Sequence, residues 1–265
     1  MSVRFLNFRH ACIAAACTVV AVMIASSGAS ARTLAEVKYK GAISLCANPD
    51  ALPFASEKAD PPGFQIEIAR AIASGLGVRL ELQWILPRYR ANLVNCDILM
   101  DSIDDPAIYE GKLLLSRPYQ RTGVALGVGP KATTTISGFG DVSKGQKVGV
   151  MVNSVAQVVL GKKGLSQSPY AFEQEMLDDL ATGELYGAAA SPATIAYYIR
   201  QHPQAGMRLI HAYDGEPELA WKVSVGMRKA DQALVDAINQ VLDRMLADGT
   251  ITAIYGHYGV EHRVP

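Results

Sequence analysis

Short apolar runs of strand character alternate with amphipathic helical stretches along most of this 265-residue chain, and that alternation limits its fold more than any other feature. Ala42-Ile43-Ser44-Leu45-Cys46 reads as a buried strand, and residues 47–54 are rich in turn formers. After Pro61-Pro62-Gly63, the residues Phe64, Ile68, Ala71, Ile72 and Leu76 fall at helical spacing, and Gly77 is placed to end the helix. Val78, Leu80, Leu82 and Trp84 then alternate with polar residues, which is the period of a strand. Asp97-Ile98-Leu99-Met100 reads as a further strand, followed by a loop over 101–109. Strand and helix in alternation predict a parallel α/β unit.

A second unit of the same kind follows. Gly123-Val124-Ala125-Leu126-Gly127-Val128 reads as a strand entering a linker-like stretch over 129–145. Beyond it the pattern predicts a strand at 147–151, with Asn153 and Ser154 as the N-cap of a helix reaching residue 159. A helix at 172–181, a strand at 186–190, a helix at 192–200 and a strand at 207–211 complete the unit. The strand 221–227 then leads into a long helix capped by Asp231, with Leu234, Ile238, Val241, Leu242 and Met245 as its apolar stripe and Gly249 at its end. The expected fold class is therefore α/β with two lobes, each a parallel or mixed sheet flanked by helices, joined by two crossover strands. The expected boundaries are 32–127 for the first part of lobe one, 128–221 for lobe two, and 222–265 for the return strand and C-terminal helices.

Residues 1–31 are compositionally foreign to this plan. They carry Arg4 and Arg9, no acidic residue, and an apolar run over 11–25. Fifteen residues fall short of the roughly 20 that span a bilayer as a helix, and Ala29-Ser30-Ala31 supplies a small-residue cleavage site, so a secretory signal cleaved after Ala31 is expected. Removing it turns the balance of 25 Lys+Arg against 25 Asp+Glu into a net charge of −2. That charge gives no attraction to nucleic acid or to anionic lipid. A lipoprotein anchor would need a cysteine at the cleavage point, where Arg32 stands, so the expected product is a periplasmic protein with no membrane anchor.

Catalytic patterns are missing from the sequence. His202, His211, His257 and His262 have no metal-ligand spacing with one another or with a cysteine, and read as solvated or packing histidines. There is no G-x-S-x-G elbow, no Walker loop and no G-x-G-x-x-G after a strand. Asp101, Asp104 and Asp105 lack the spacing of a calcium loop. No enzyme activity, metal or cofactor is expected. Ligands of open α/β sheets sit beyond the carboxyl ends of the strands, which selects the loops after Cys46, Met100, Met151 and Ala190 as the walls of a common cleft. The expected cleft residues are Asn48, Asp50, Leu52, Phe54, Asp101, Ser102, Tyr109, Asn153, Ser154 and Ser191. Leu52 and Phe54 serve equally as ordinary packing, Asn153 and Ser154 first as helix caps, and Trp84 and Trp221 read as core anchors.

The order of segments resembles the bilobal periplasmic solute-binding proteins of family 3, those of polar amino acid uptake, over essentially the whole chain after residue 31. The pieces that carry the resemblance are Leu52-Pro53-Phe54, Gly63-Phe64-Gln65-Ile66-Glu67-Ile68-Ala69, Cys96-Asp97-Ile98-Leu99-Met100, Leu115-Ser116-Arg117-Pro118-Tyr119, Lys147-Val148-Gly149-Val150 and Ser224-Val225-Gly226-Met227. In that family an arginine after the third strand clamps the ligand's α-carboxylate and an acid after a second-lobe strand takes its α-amine. Here those positions fall at Tyr109 and Ser191. Glu110, Arg117 and Arg121 could substitute only with a different geometry. A buried zwitterion without these clamps would cost several kcal/mol, so the resemblance implies a ligand other than a free amino acid.

A narrower resemblance joins Ser44 to Lys58, Gly63-Phe64, Cys96-Asp97, Arg117-Pro118-Tyr119, Ser191-Pro192 and Val225 to Asp231 with binding-protein relatives associated with quinoprotein methanol and alcohol dehydrogenases. It implies an accessory role towards a pyrroloquinoline-quinone dehydrogenase or its cytochrome. The stretch from Pro87 to Asn95 departs from it, being shorter than the helix those relatives place there. The alternative is the receptor of an ABC permease for a small neutral or apolar solute. A hydrolase or dehydratase on the same scaffold ranks third, because the cleft loops show no acid–base pair. Cys46 and Cys96 can form a disulfide only if their strands are offset or the bond sits near mid-sheet, since neighbouring parallel strands point those ends apart.

Overall fold

A computed structural model describes residues 32–86, 96–132 and 134–265. The expected export signal and the stretch 87–95 lie outside the described residues. The chain begins with α1 (Leu34–Lys40), nucleated by a capping box in which Thr33 Oγ1 accepts the Glu36 amide at 3.1 Å and Glu36 Oε2 accepts the Thr33 amide at 3.2 Å. β1 (Ala42–Ala47), β2 (Asp50–Ala51), β3 (Ala55–Ser56), α2 (Phe64–Gly75), β4 (Arg79–Trp84), β5 (Ile98–Ile103), β6 (Leu113–Leu115) and β7 (Gln120–Gly123) follow. The second lobe holds β8 (Ala125–Val128), β9 (Lys147–Met151), α3 (Val155–Lys162), β10 (Ser166–Tyr170), α4 (Glu173–Thr182), β11 (Gly187–Ala190), α5 (Pro192–Gln201) and β12 (Arg208–Ile210). β13 (Ala220–Arg228), α6 (Gln232–Ala247) and α7 (Thr250–His257) return to the first lobe.

Two mixed sheets result. The first has the order β4-β1-β5-β13-β6, with β7 also on β13; β4, β1 and β5 are parallel, and β13 runs antiparallel to β5, β6 and β7. The second has the order β10-β9-β11-β8-β12, parallel through β11 and antiparallel at β8 and β12. Ile43, Leu45, Ile98, Met100, Val225 and Met227 of the first sheet bury against Ile68 and Ile72 of α2 and Leu234, Ile238 and Leu242 of α6. Val148, Val150, Leu126 and Val128 of the second bury against Leu160, Met176, Leu177, Leu180 and Ile195. Trp221 packs on both cores and Trp84 on the first. No described helix is long and apolar enough to cross a membrane.

Four expectations need correction. The single strand expected at 123–128 is two strands of different sheets: β7 pairs with β13, whereas Ala125 to Val128 pair with β11 and β12, so the lobes change at Val124 and not after residue 127. The return strand likewise starts at Ala220, opposite Gly123. Asp101 and Ser102 are not loop residues, because pairing with Val223 and Ser224 carries β5 on to Ile103. The stretch 129–145 is no free linker; Ile136, Phe139 and Val142 are buried in the second core.

The two crossings lie side by side. The Val124 amide donates to the Leu219 carbonyl at 2.9 Å, and a Cβ on Gly123 would stand 2.2 Å from that same oxygen. Beside them Asp214, next to Tyr213 of the second core, receives Arg121 of β7 at 2.6 Å and Arg263 of the C-terminal tail at 2.7 Å. Both guanidinium groups stand 5.5 Å from the centre of the Tyr213 ring.

Candidate functional site

The carboxyl ends of β1, β5, β9 and β11 deliver their loops to one side of the molecule, as an open α/β arrangement requires. Asn48 begins an Asx turn, its Oδ1 accepting the Asp50 amide at 2.9 Å, and the Phe54 amide closes a second turn on Ala51 at 2.8 Å. Gly63 holds this loop against α2. Its φ of 113° and the Phe54 carbonyl, 2.4 Å from where a Cβ would stand, leave room for glycine only. The Gly63 amide donates to the Tyr258 hydroxyl at 2.7 Å.

A cavity of about 1530 Å³ opens between this loop and the second lobe. It exceeds the roughly 300–1,000 Å³ of a closed small-molecule site, which fits an open cleft. Asn48, Asp50, Leu52, Phe54, Asp101, Ser102 and Tyr109 line it from the first lobe and Ser191 from the second. Leu52 and Phe54 also pack on the first core. Tyr109 ends a 3₁₀ helix (Pro106–Tyr109), and its hydroxyl accepts the Ile103 amide at 2.7 Å, holding the ring at the end of β5. Asn153 and Ser154 are not among the lining residues. Ser154 Oγ instead caps α3 by accepting the Gln157 amide at 3.1 Å, and the Asn153 amide donates to Gln157 Oε1 at 2.9 Å, so both are engaged in starting the helix.

A disulfide joins Cys46 to Cys96, with Cα atoms 5.5 Å apart, and Cys46 lines the cavity. The strands are offset: Leu45, near the end of β1, lies opposite Ile98 at the start of β5, which brings the two cysteines together.

Residues remote in sequence complete the walls. Glu173, at the start of α4, reaches across to α5: its Oε1 accepts the Ser191 amide at 3.3 Å and its Oε2 accepts the Thr194 hydroxyl at 2.7 Å. A carboxylate thus stands at Ser191 although none is encoded there. Tyr197, Tyr198 and His202 of the same side also face the cavity. His202 stacks on Tyr198 at 4.3 Å. Burial, then the hydrogen bond to Asp178 at 2.8 Å, pushes the Tyr198 hydroxyl up to about 12 and keeps it neutral at physiological pH.

Among the described lining residues, acidic side chains outnumber basic ones. Asp50, Asp101, Glu110, Glu173 and Glu175 face Lys112, Arg228 and Lys229, and Lys112 is bound to Glu110 at 2.6 Å. Arg228 and Lys229 sit at the far end of β13, where the Arg228 amide meets the Asp97 carbonyl and the Lys229 carbonyl accepts the Arg32 amide. A smaller hollow of about 400 Å³ opens at the starts of β1 and β4, between Arg32, Lys40, Arg79, Glu81 and Asp97. It lies at the opposite ends of these strands from the cleft and is occupied by the pairs Arg32–Asp97 and Arg79–Glu81. Among the described residues no group of three or more His, Cys, Asp or Glu side chains is placed to hold a metal ion.

With two lobes and a cleft in place, the comparison with known proteins is specific. Residues 43–261 match the model of the bacterial extracellular solute-binding proteins, family 3. The chain belongs to that family. A probable amino-acid ABC transporter-binding protein of Haemophilus influenzae is 24% identical over 203 residues, covering 72% of this chain and 74% of its own. The membrane-bound lytic murein transglycosylase F of Yersinia pestis is 27% identical over 247 residues, 85% of this chain but 48% of its own, so this family 3 protein spans about half of that enzyme. An ancestral cationic amino acid solute-binding protein superposes with a TM-score of 0.73 at 21% identity, covering 85% of this chain and 99% of the other, a likeness of fold. Proteins of family 3 are generally binding proteins rather than enzymes, and are typically periplasmic.

Proposed function

We propose that this protein is the receptor of an ABC transporter for a small solute other than a standard amino acid, exported to the periplasm by a signal cleaved after Ala31. Family membership and the similarity to a transporter-binding protein support the transport class. One observation carries the ligand class: the position of the family's carboxylate-binding arginine is Tyr109, with its hydroxyl already engaged by the Ile103 amide. Without an arginine there, an α-carboxylate in the cleft would lose a bidentate, charge-assisted contact. The accessory role towards a quinoprotein dehydrogenase has no observation that favours it over transport.

Thermal unfolding of the chain 32–265 against a solute panel tests the reading. A ligand at 100 times its Kd stabilises by about 2.7 kcal/mol, a rise of several degrees. Such a rise is expected from at least one solute that is not an amino acid and from none of the 20 standard amino acids. A response to a standard amino acid alone refutes the proposal.

A further inference from the structure

We infer that the Glu173 carboxylate is the recognition group for a compact organic ammonium ion that carries no α-carboxylate. The inference rests on the receptor reading and names the solute class of the same cleft. A neutral or apolar solute follows from sequence because Ser191 stands where the family has an acid. In space that position is not empty of charge. Glu173 is brought to it from another helix and held by two donors, the Ser191 amide at 3.3 Å and the Thr194 hydroxyl at 2.7 Å. A carboxylate has about four acceptor sites, so two remain for an ammonium donor on the cavity side. The amide end of α5, otherwise a ready anion site, is taken by the protein's own carboxylate. A ligand carboxylate would meet Glu173 there as a like charge.

Lys112 is held by Glu110. Asp50 adds negative charge to the opposite wall, and Phe54, Tyr109 and Tyr197 provide apolar surface for a carbon chain.

Calorimetric titration of the chain 32–265 with three matched pairs tests this: methylammonium against glycine, propylammonium against 2-aminobutyrate, and 1,4-diaminobutane against ornithine. Each pair differs only by the α-carboxylate. At least one amine is expected to bind ten-fold or more tightly than its partner. Glu173→Gln, which keeps an acceptor for Thr194 but removes the charge, is expected to weaken that amine ten-fold or more while moving the unfolding midpoint by no more than a few degrees. A purely capping role for Glu173 would leave amine binding unchanged in the variant. That result, equal or tighter binding of the amino acids, or no binding of any of the three amines overturns the inference. If the amines fail while a neutral solute stabilises wild type and Glu173→Gln alike, this inference falls and the receptor reading stands.

Discussion

The Arg32 guanidinium is paired with the Asp97 carboxylate inside the first lobe, with side-chain exposures of 9% and 12%. Asp97 also accepts the Ser44 amide and hydroxyl, each at 2.7 Å, and the Arg32 amide donates to the Lys229 carbonyl at 2.8 Å. The first residue after the expected cleavage site is thereby built into the sheet. Breaking one side of a buried pair leaves a charge uncompensated, so Arg32→Ala is expected to destabilise by about 3 kcal/mol, with Arg32→Lys recovering part of the loss. Urea unfolding checks this, and a chain starting at Thr33 should behave as Arg32→Ala does.

The Cys46–Cys96 disulfide closes a loop of 50 residues. In the chain-entropy model such a closure contributes about 4 kcal/mol. Unfolding midpoints in urea with and without reductant measure it. The double variant Cys46→Ser/Cys96→Ser should match the reduced wild type, and an unchanged midpoint would mean that the bond does not form.

Gly63 connects α2 to the cleft loop at a backbone angle that other residues rarely adopt, with no space for a Cβ beside Phe54 and Ala55. Gly63→Ala should cost about 1–3 kcal/mol and displace Phe54 in the cavity wall. The check is paired: a lowered unfolding midpoint, together with weakened solute binding at a temperature where the variant is still folded.

Asp214 ties the lobes at the crossing. Burial works against its charged form, but hydrogen bonds from Arg263 and Arg121 outweigh that and hold its carboxyl below the usual carboxylate range. A group depressed in the folded state contributes above its unfolded value, near 3.9, and loses that contribution as pH falls through its folded value. Stability owed to this contact should therefore be constant above about pH 5 and fade below pH 4. Asp214→Asn should lower the urea midpoint at pH 7 and flatten the part of the acid limb that wild type shows.

Much of the fold is legible in the sequence because its elements have clear periods. α2 and α6 present continuous apolar stripes, and β1, β9 and β11 are apolar runs of strand length. β10 (Ser166–Tyr170) has no such signal: it is an edge strand of polar residues with Pro169, defined by pairing to β9 alone. The extent of β5 is hidden for a similar reason, since Asp101 and Ser102 become strand through β13, some 120 residues later. In the cleft, residues on the loops after β1 and β5 follow from the position of strand ends. Glu173 does not, because its link to Ser191 and Thr194 joins two helices across 18 and 21 residues and depends on how α4 and α5 pack.

Crosslinking of this protein in its native membranes, followed by mass spectrometry of the captured partners, tests transport by way of a permease most directly. The account predicts an ABC permease subunit. Recovery of a quinoprotein dehydrogenase or its cytochrome, with no permease subunit, would contradict it.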